Sequence, residues 1–342
     1  MSTPIRIRRA TYSSAAALAA LAATALLAGC GSEARPRPTR RGALTVYSSL
    51  PRSGVSARAA DAVGAGARLA LADAHGRAAG RTVRLVELDS AAPDGEAWDP
   101  DAVEANARRA AADASAVAYL GELDLGASAV SVPVTSAAGL LQVAPGDGLT
   151  TLTRRDPAEP EELPARYYPR GMRTFARVVP TDADQARALV GWVRSRGLRS
   201  LAIVRDDRLF GRELAAEAGD AANALHVKVT GVEEARRRDA DYASVARDVA
   251  ERRPRAVLYT GLGDRDGDRV LAALRRAMPA VALYGTSALA ASPGERGAPP
   301  ADVLRPVAPP ASYPPAARRV LHRLEARAGA PVAADALLGY SA

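Results

Sequence analysis

The run Ala116-Val-Ala-Tyr-Leu120 does most to narrow the folds open to this chain. Five apolar residues in succession leave no polar face for water, so such a strand belongs inside a parallel sheet with both faces covered. Ala256-Val-Leu-Tyr-Thr260 repeats the pattern in the second half. Strands are expected over 43–48, 82–88, 116–120 and 140–144, separated by helices over 56–75, 100–113 and 128–138. Asp99 and Pro100 suit the cap and first position of the second helix. Regular βαβ alternation points to an α/β fold with doubly wound sheets and right-handed crossovers.

The alternation lapses between 149 and 172, where Asp156-Pro-Ala-Glu-Pro160 and Tyr167-Tyr-Pro-Arg-Gly171 are loop chemistry and mark a candidate domain crossing. It resumes with strands over 174–179, 200–205, 226–232, 256–260 and 281–285 and helices over 182–196, 209–224, 242–253 and 266–278. A Pro/Gly-rich run after Ser292 leads to Pro309-Pro310, a second candidate crossing, and helices over 315–328 and 333–342 close the chain. The expected lobes are therefore 42–172 plus 308–342, and 173–307. The last helix stops at Tyr340-Ser341-Ala342 without cap or breaker, so the sequence is expected to be an incomplete gene product or fragment.

The start of the chain places it outside the cytoplasm. Arg6, Arg8 and Arg9 precede an apolar stretch over 15–28, the layout of a secretory signal over 1–29. That stretch is short of the roughly 20 apolar residues of a membrane span. A Pro/Arg-rich tether follows over 30–41. Cys30 is the only cysteine and has no partner for an internal disulfide. Leu27-Ala-Gly-Cys30 resembles a bacterial lipobox, which implies a lipid on Cys30 and a chain held at the outer face of the cell membrane.

Hydrophobic residues make up 48% of the chain and aromatics only 4%, so its cores are built of Ala, Val and Leu. The formal charge of +8 raises the question of nucleic acid. Lys228 is the only lysine, however, the arginines are interspersed with acids, and no basic stripe carries aromatics. Nucleic acid is not an expected partner.

Enzyme signatures fail one by one. Gly261-Leu-Gly263 lacks the third glycine of a dinucleotide fingerprint, Asp266 standing in its place. Asp264-Arg-Asp266-Gly-Asp268 is misregistered for a calcium loop and reads as an acidic helix start. His75, His226 and His322 have no metal spacing. Val130 and Leu289 replace the last glycine of a nucleophile elbow after Ser128 and Ser287. No enzyme and no cofactor are expected.

In doubly wound sheets a ligand lies outside the carboxyl ends of the strands, beside helix N-termini. The loops there carry Ser53, then Asp124, Leu125, Gly126, Ala127 and Ser128, then Gly146, Asp147 and Gly148, and finally Phe210, Asp239 and Ser287. These are the candidate ligand-binding residues. Asp124, Asp147 and Asp239 favour a cationic or amine ligand.

Several stretches carry a family likeness. Leu44-Thr-Val-Tyr-Ser-Ser-Leu-Pro51 with Gly54, Trp98-Asp-Pro100 with Asn106-Ala-Arg108, and Tyr119-Leu-Gly-Glu-Leu123 with Gly126-Ala-Ser-Ala129 resemble leucine/isoleucine/valine-type substrate-binding proteins of ABC transporters. Tyr167-Tyr-Pro169, Arg173-Thr-Phe-Ala-Arg-Val-Val-Pro180 and Leu338-Gly-Tyr340 extend the likeness to the end of the chain. The resemblance implies a fold like that of type I periplasmic binding proteins: two doubly wound, three-layer α/β lobes joined by a hinge. It also implies a monomer that captures an amino acid or related small polar solute between the lobes and delivers it to an ABC permease. A ligand-sensing domain without a transport role is the alternative. Leu125 stands where the family has serine, Gly148 where it has threonine or serine, and Phe210 where it has tyrosine.

Overall fold

The computed structural model describes residues 42–93, 98–154, 165–236, 241–289 and 312–342. Two separate sheets organise them. The first has six strands in the order β2-β3-β1-β4-β5-β6: β1 (Leu44–Leu50), β2 (Arg77–Ala78), β3 (Arg81–Asp89), β4 (Ala116–Leu120), β5 (Leu141–Ala144) and β6 (Phe175–Arg177). The second has four in the order β10-β9-β7-β8: β7 (Ser200–Arg205), β8 (Lys228–Glu234), β9 (Ala256–Tyr259) and β10 (Ala282–Gly285). All neighbours pair in parallel except β2 and β3, a hairpin turning through Ala79 and Gly80 at φ 48° and 76°. Two positive φ angles in a two-residue turn match the twist of the flanking strands.

The second sheet shows why its strands read as unbroken apolar runs. Leu201 and Ile203 of β7, with Ala256 and Leu258 of β9, pack in one buried cluster with α4 (Asp182–Ser195) and α5 (Leu209–Ala224). Their neighbours Ala202, Val204, Val257 and Tyr259 point the other way, toward α6 (Ala243–Glu251) and α7 (Arg265–Ala277). Successive side chains leave a strand on opposite faces, so helices on both sides require apolar residues at every position.

The first sheet is covered likewise. Tyr47, Leu88 and Tyr119 meet Ala107 and Ala110 of α2 (Pro100–Ala112), with α3 (Ser128–Ala137) alongside. On the other face lie α1 (Ala57–Asp73), α8 (Pro315–Ala328) and α9 (Ala336–Ser341), joined by Ala62, Leu69, Leu324 and Ala336. The crossing of α1 and α9 is set by glycines. A Cβ on Gly66 would run into the Ala336 carbonyl, and one on Gly339 into the Val63 carbonyl.

The caps follow the sequence. Asp99 accepts the Asp101 N–H at 2.9 Å at the start of α2, Asp264 accepts the Gly267 N–H at 2.9 Å at the start of α7, and Thr181 and Asp184 form a capping box on α4. One assignment changes. The strand at 174–179, placed above in the second lobe, is β6 and pairs with β5, so it closes the edge of the first sheet. The chain passes to the second sheet after Arg177. The leader, the tether, Cys30, the loop 155–164 and Pro309-Pro310 lie outside the described residues.

Candidate ligand-binding cleft

The strands of both sheets end at a common cavity of about 210 Å³. From the first lobe it is walled by Val55 and Ser56 beyond β1, by Leu123, Asp124 and Leu125 beyond β4, and by Gly146 beyond β5. The second lobe supplies Leu262, Gly263 and Asp264 beyond β9 and Ser287 and Ala288 beyond β10. Trp98 and Asp335, which flank α2 and α9, and Val179 on the segment between the sheets complete it. A second chamber of about 320 Å³ adjoins it and is lined by Gly148, Pro180, Asp182, Asp184 and Gln185. The chambers share Leu125, Gly146, Val179 and Ser287.

Asp124 is the most exposed to ligand chemistry. The Ser56 hydroxyl donates to its Oδ1 at 2.6 Å, whereas Oδ2 is buried without a partner. Burial pushes its pKa up to about 6, with the Ser56 hydrogen bond opposing the shift and Asp147 adding to it. Opposite, Asp264 is fixed by its capping bond and by Arg208, which also bridges to Asp206 at 2.9 Å. Burial works against the charge of Arg208, but Asp264 and Asp206 outweigh it and raise its pKa.

Asp147 faces inward. It is fully buried, and its carboxylate accepts the backbone N–H groups of Gly126 at 3.1 Å, Ser128 at 2.8 Å and Leu149 at 3.1 Å. The first two belong to the turn that opens α3, where Gly126 holds φ at 85°. Burial raises the Asp147 pKa and these donors pull it back.

Residues 48–342 match the profile of the periplasmic binding protein family. The chain belongs to that family. Solved structures share its fold. A leucine-binding protein from Thermotoga maritima has 18% identity and a TM-score of 0.68, covering 87% of this chain and 80% of its own. An ABC transporter solute-binding protein from R. palustris in complex with benzoate has 18% identity and a TM-score of 0.68, covering 88% and 78%. A branched-chain amino acid transporter substrate-binding protein from Streptococcus pneumoniae, in complex with isoleucine, has 14% identity and a TM-score of 0.65, covering 87% and 81%. No curated protein sequence matches.

In this periplasmic binding protein the sequence candidates separate into distinct places. Asp124, Leu125, Gly146 and Ser287 line the cavity of about 210 Å³, and Gly148 lines the adjoining chamber. Gly148 is pressed against the crossing segment: a Cβ there would sit 2.6 Å from Asp182 Oδ1 and 3.0 Å from the Pro180 carbonyl. Gly126, Ala127 and Ser128 are buried behind the wall. Asp147, expected to face a cationic ligand, instead answers the α3 donors. Ser53 is exposed and does not line the cavity. Phe210 is buried in the second-lobe core and only its backbone and Cβ approach Gly126. Asp239 lies outside the described residues.

The lobes exchange one leucine each at this junction. Leu125 packs against the second-lobe cluster containing Phe210 and Tyr284, and Leu209 packs against the first-lobe cluster of Leu149, Leu152, Tyr167 and Tyr168. Sequence reasoning missed Ser56, Trp98, Asp264 and Asp335 as wall residues. Ser56 was legible as a hydroxyl flanking a helix start; the others carry no local signal that separates a cleft wall from a cap or turn.

Proposed function

We propose that this protein is an exported, non-enzymatic solute receptor that captures an amino acid or related small polar solute between its lobes and hands it to an ABC permease. The observation that carries the reading is the cavity walled by the strand ends of two separate sheets. Two bodies that each supply half a wall bury a solute by closing on it, and open to release it. The fold neighbours, a leucine-binding protein and solute-binding proteins in complex with isoleucine and with benzoate, support a small organic solute. The lobes are 42–172 plus 308–342 and 173–307, with β6 docked on the first. Lipid on Cys30 holds the mature chain, a monomer, at the outer face of the membrane, within reach of a permease.

A melting-temperature screen against amino acids, amides, amines and short peptides tests solute capture, because a ligand that binds only the folded state raises the melting point. One class raising it supports the reading; silence across the panel contradicts it. Cys30→Ser is expected to move the protein from the membrane fraction to the soluble one, and retention at the membrane contradicts the anchor.

A further inference from the structure

We propose that the cleft takes an organic cation without a carboxylate, an alkylamine, with its ammonium seated on Asp124. The inference rests on the solute-capture reading and narrows its ligand class.

A carboxylate of the protein itself already sits behind the cleft wall. A helix N-terminus facing a cleft is a ready receptor for a carboxylate, because its first N–H groups have no partner in the helix. At α3 the protein's own carboxylate holds that place: Asp147 takes the Ser128 N–H at the helix start at 2.8 Å, the Gly126 N–H of the preceding turn at 3.1 Å and the Leu149 N–H at 3.1 Å. Asp147 is fully buried, so a ligand carboxylate would have to evict a side chain that holds three N–H groups. Leu125 sets hydrocarbon, not a hydroxyl, on the wall beside it.

An acceptor is left unanswered on the cation side. Asp124 Oδ1 takes one hydroxyl from Ser56 and Oδ2 has no partner. Among the described wall residues there is no Arg, Lys or His to receive an anion, and Asp264 and Asp335 add carboxylates to the same space. Asp264 is already answered by Arg208, which leaves Asp124 and Asp335, and of these two Asp124 has the buried oxygen without a partner. An ammonium brings three donors and a charge to that acceptor. Trp98 on the same wall offers an aromatic surface to a cation, and Val55, Leu123 and Leu338 accommodate an alkyl chain.

Three probes that share one branched alkyl chain separate the possibilities: 3-methylbutylamine, leucine and 4-methylpentanoate, titrated by calorimetry at neutral pH into the full chain. The amine is expected to bind and to raise the melting temperature, and the other two to do neither. Asp124→Asn, which keeps the shape and removes the charge, is expected to weaken amine binding about tenfold or more. A circular dichroism spectrum and melting transition of Asp124→Asn that match wild type in the absence of ligand separate loss of charge from loss of fold. Leucine or 4-methylpentanoate binding as tightly as the amine, or amine binding indifferent to Asp124→Asn, overturns the assignment and leaves solute capture standing. Silence from all three also overturns it, while solute capture itself falls only if the wider panel is silent too.

Discussion

The Ser56 hydroxyl donates to Asp124 Oδ1 at 2.6 Å, tying the start of α1 to the loop after β4 across the mouth of the cavity. Among the described residues it is the one side-chain partner of this carboxylate, and Oδ2 has none there. Removing it leaves both oxygens unanswered. Ser56→Ala is expected to cost about 1–3 kcal/mol of stability, the penalty for a buried acceptor left without its donor. Urea unfolding of the two proteins measures it; equal midpoints would contradict the role.

The α1–α9 crossing depends on bare backbone at two points. Gly339→Ala would drive a methyl into the Val63 carbonyl, and the helices would have to separate. A loss of about 1–3 kcal/mol is expected, as for overpacking elsewhere, together with faster amide hydrogen exchange over 336–341. Unchanged exchange there would contradict the close approach.

Glu213 links the lobes. Its Oε2 accepts the Thr151 hydroxyl at 2.8 Å, Arg166 stands 3.8 Å from Oε1, and Glu217 one turn on pairs with Arg154. Replacing both acids by alanine is expected to loosen the junction by about 1–2 kcal/mol and to enlarge the radius of gyration of the ligand-free protein in small-angle scattering. An unchanged radius would contradict the role of these pairs.

Glu122 sets a pH dependence. It is buried behind the cleft, and its carboxyl accepts the Tyr119 hydroxyl at 2.8 Å. Burial pushes its pKa up to about 8 against hydrogen bonds from Tyr119, Ser49 and Ser131, with Asp124 adding to the rise. The folded state therefore holds a proton that the unfolded chain gives up near its ordinary value of 4.5. Stability from this group is full below that value and is lost as pH rises through about 8. Glu122→Gln stays neutral throughout and is expected to flatten the decline between these limits by roughly a few kcal/mol. Parallel pH curves for variant and wild type would contradict the assignment.

The strands of the second sheet were legible because burial on both faces writes itself as unbroken apolar runs, as in Ala256–Tyr259. Short edge strands carry no such mark. Arg77–Ala78 was not anticipated, and Phe175–Arg177 was expected in the wrong lobe, because a three-residue strand takes its sheet from its neighbour. The cleft loops were located by the rule that ligands gather at strand ends, but orientation within a loop was not. Asp124 and Asp147 look alike in sequence, yet one lines the cavity and the other is buried against three N–H donors. Between the two loops Gly146 lies so close to the Leu123 carbonyl that no side chain fits there.

The central claim is that solute binds between the strand ends of the two sheets. Ala59, half-buried on α1, lines that cavity and no core cluster. Calorimetric titration of the compound that most raises the melting temperature into wild type and into Ala59→Trp tests the claim most directly. The account predicts that the tryptophan fills the cavity and abolishes binding while the circular dichroism spectrum is unchanged. Undiminished binding by a folded Ala59→Trp protein would place the solute elsewhere and contradict it.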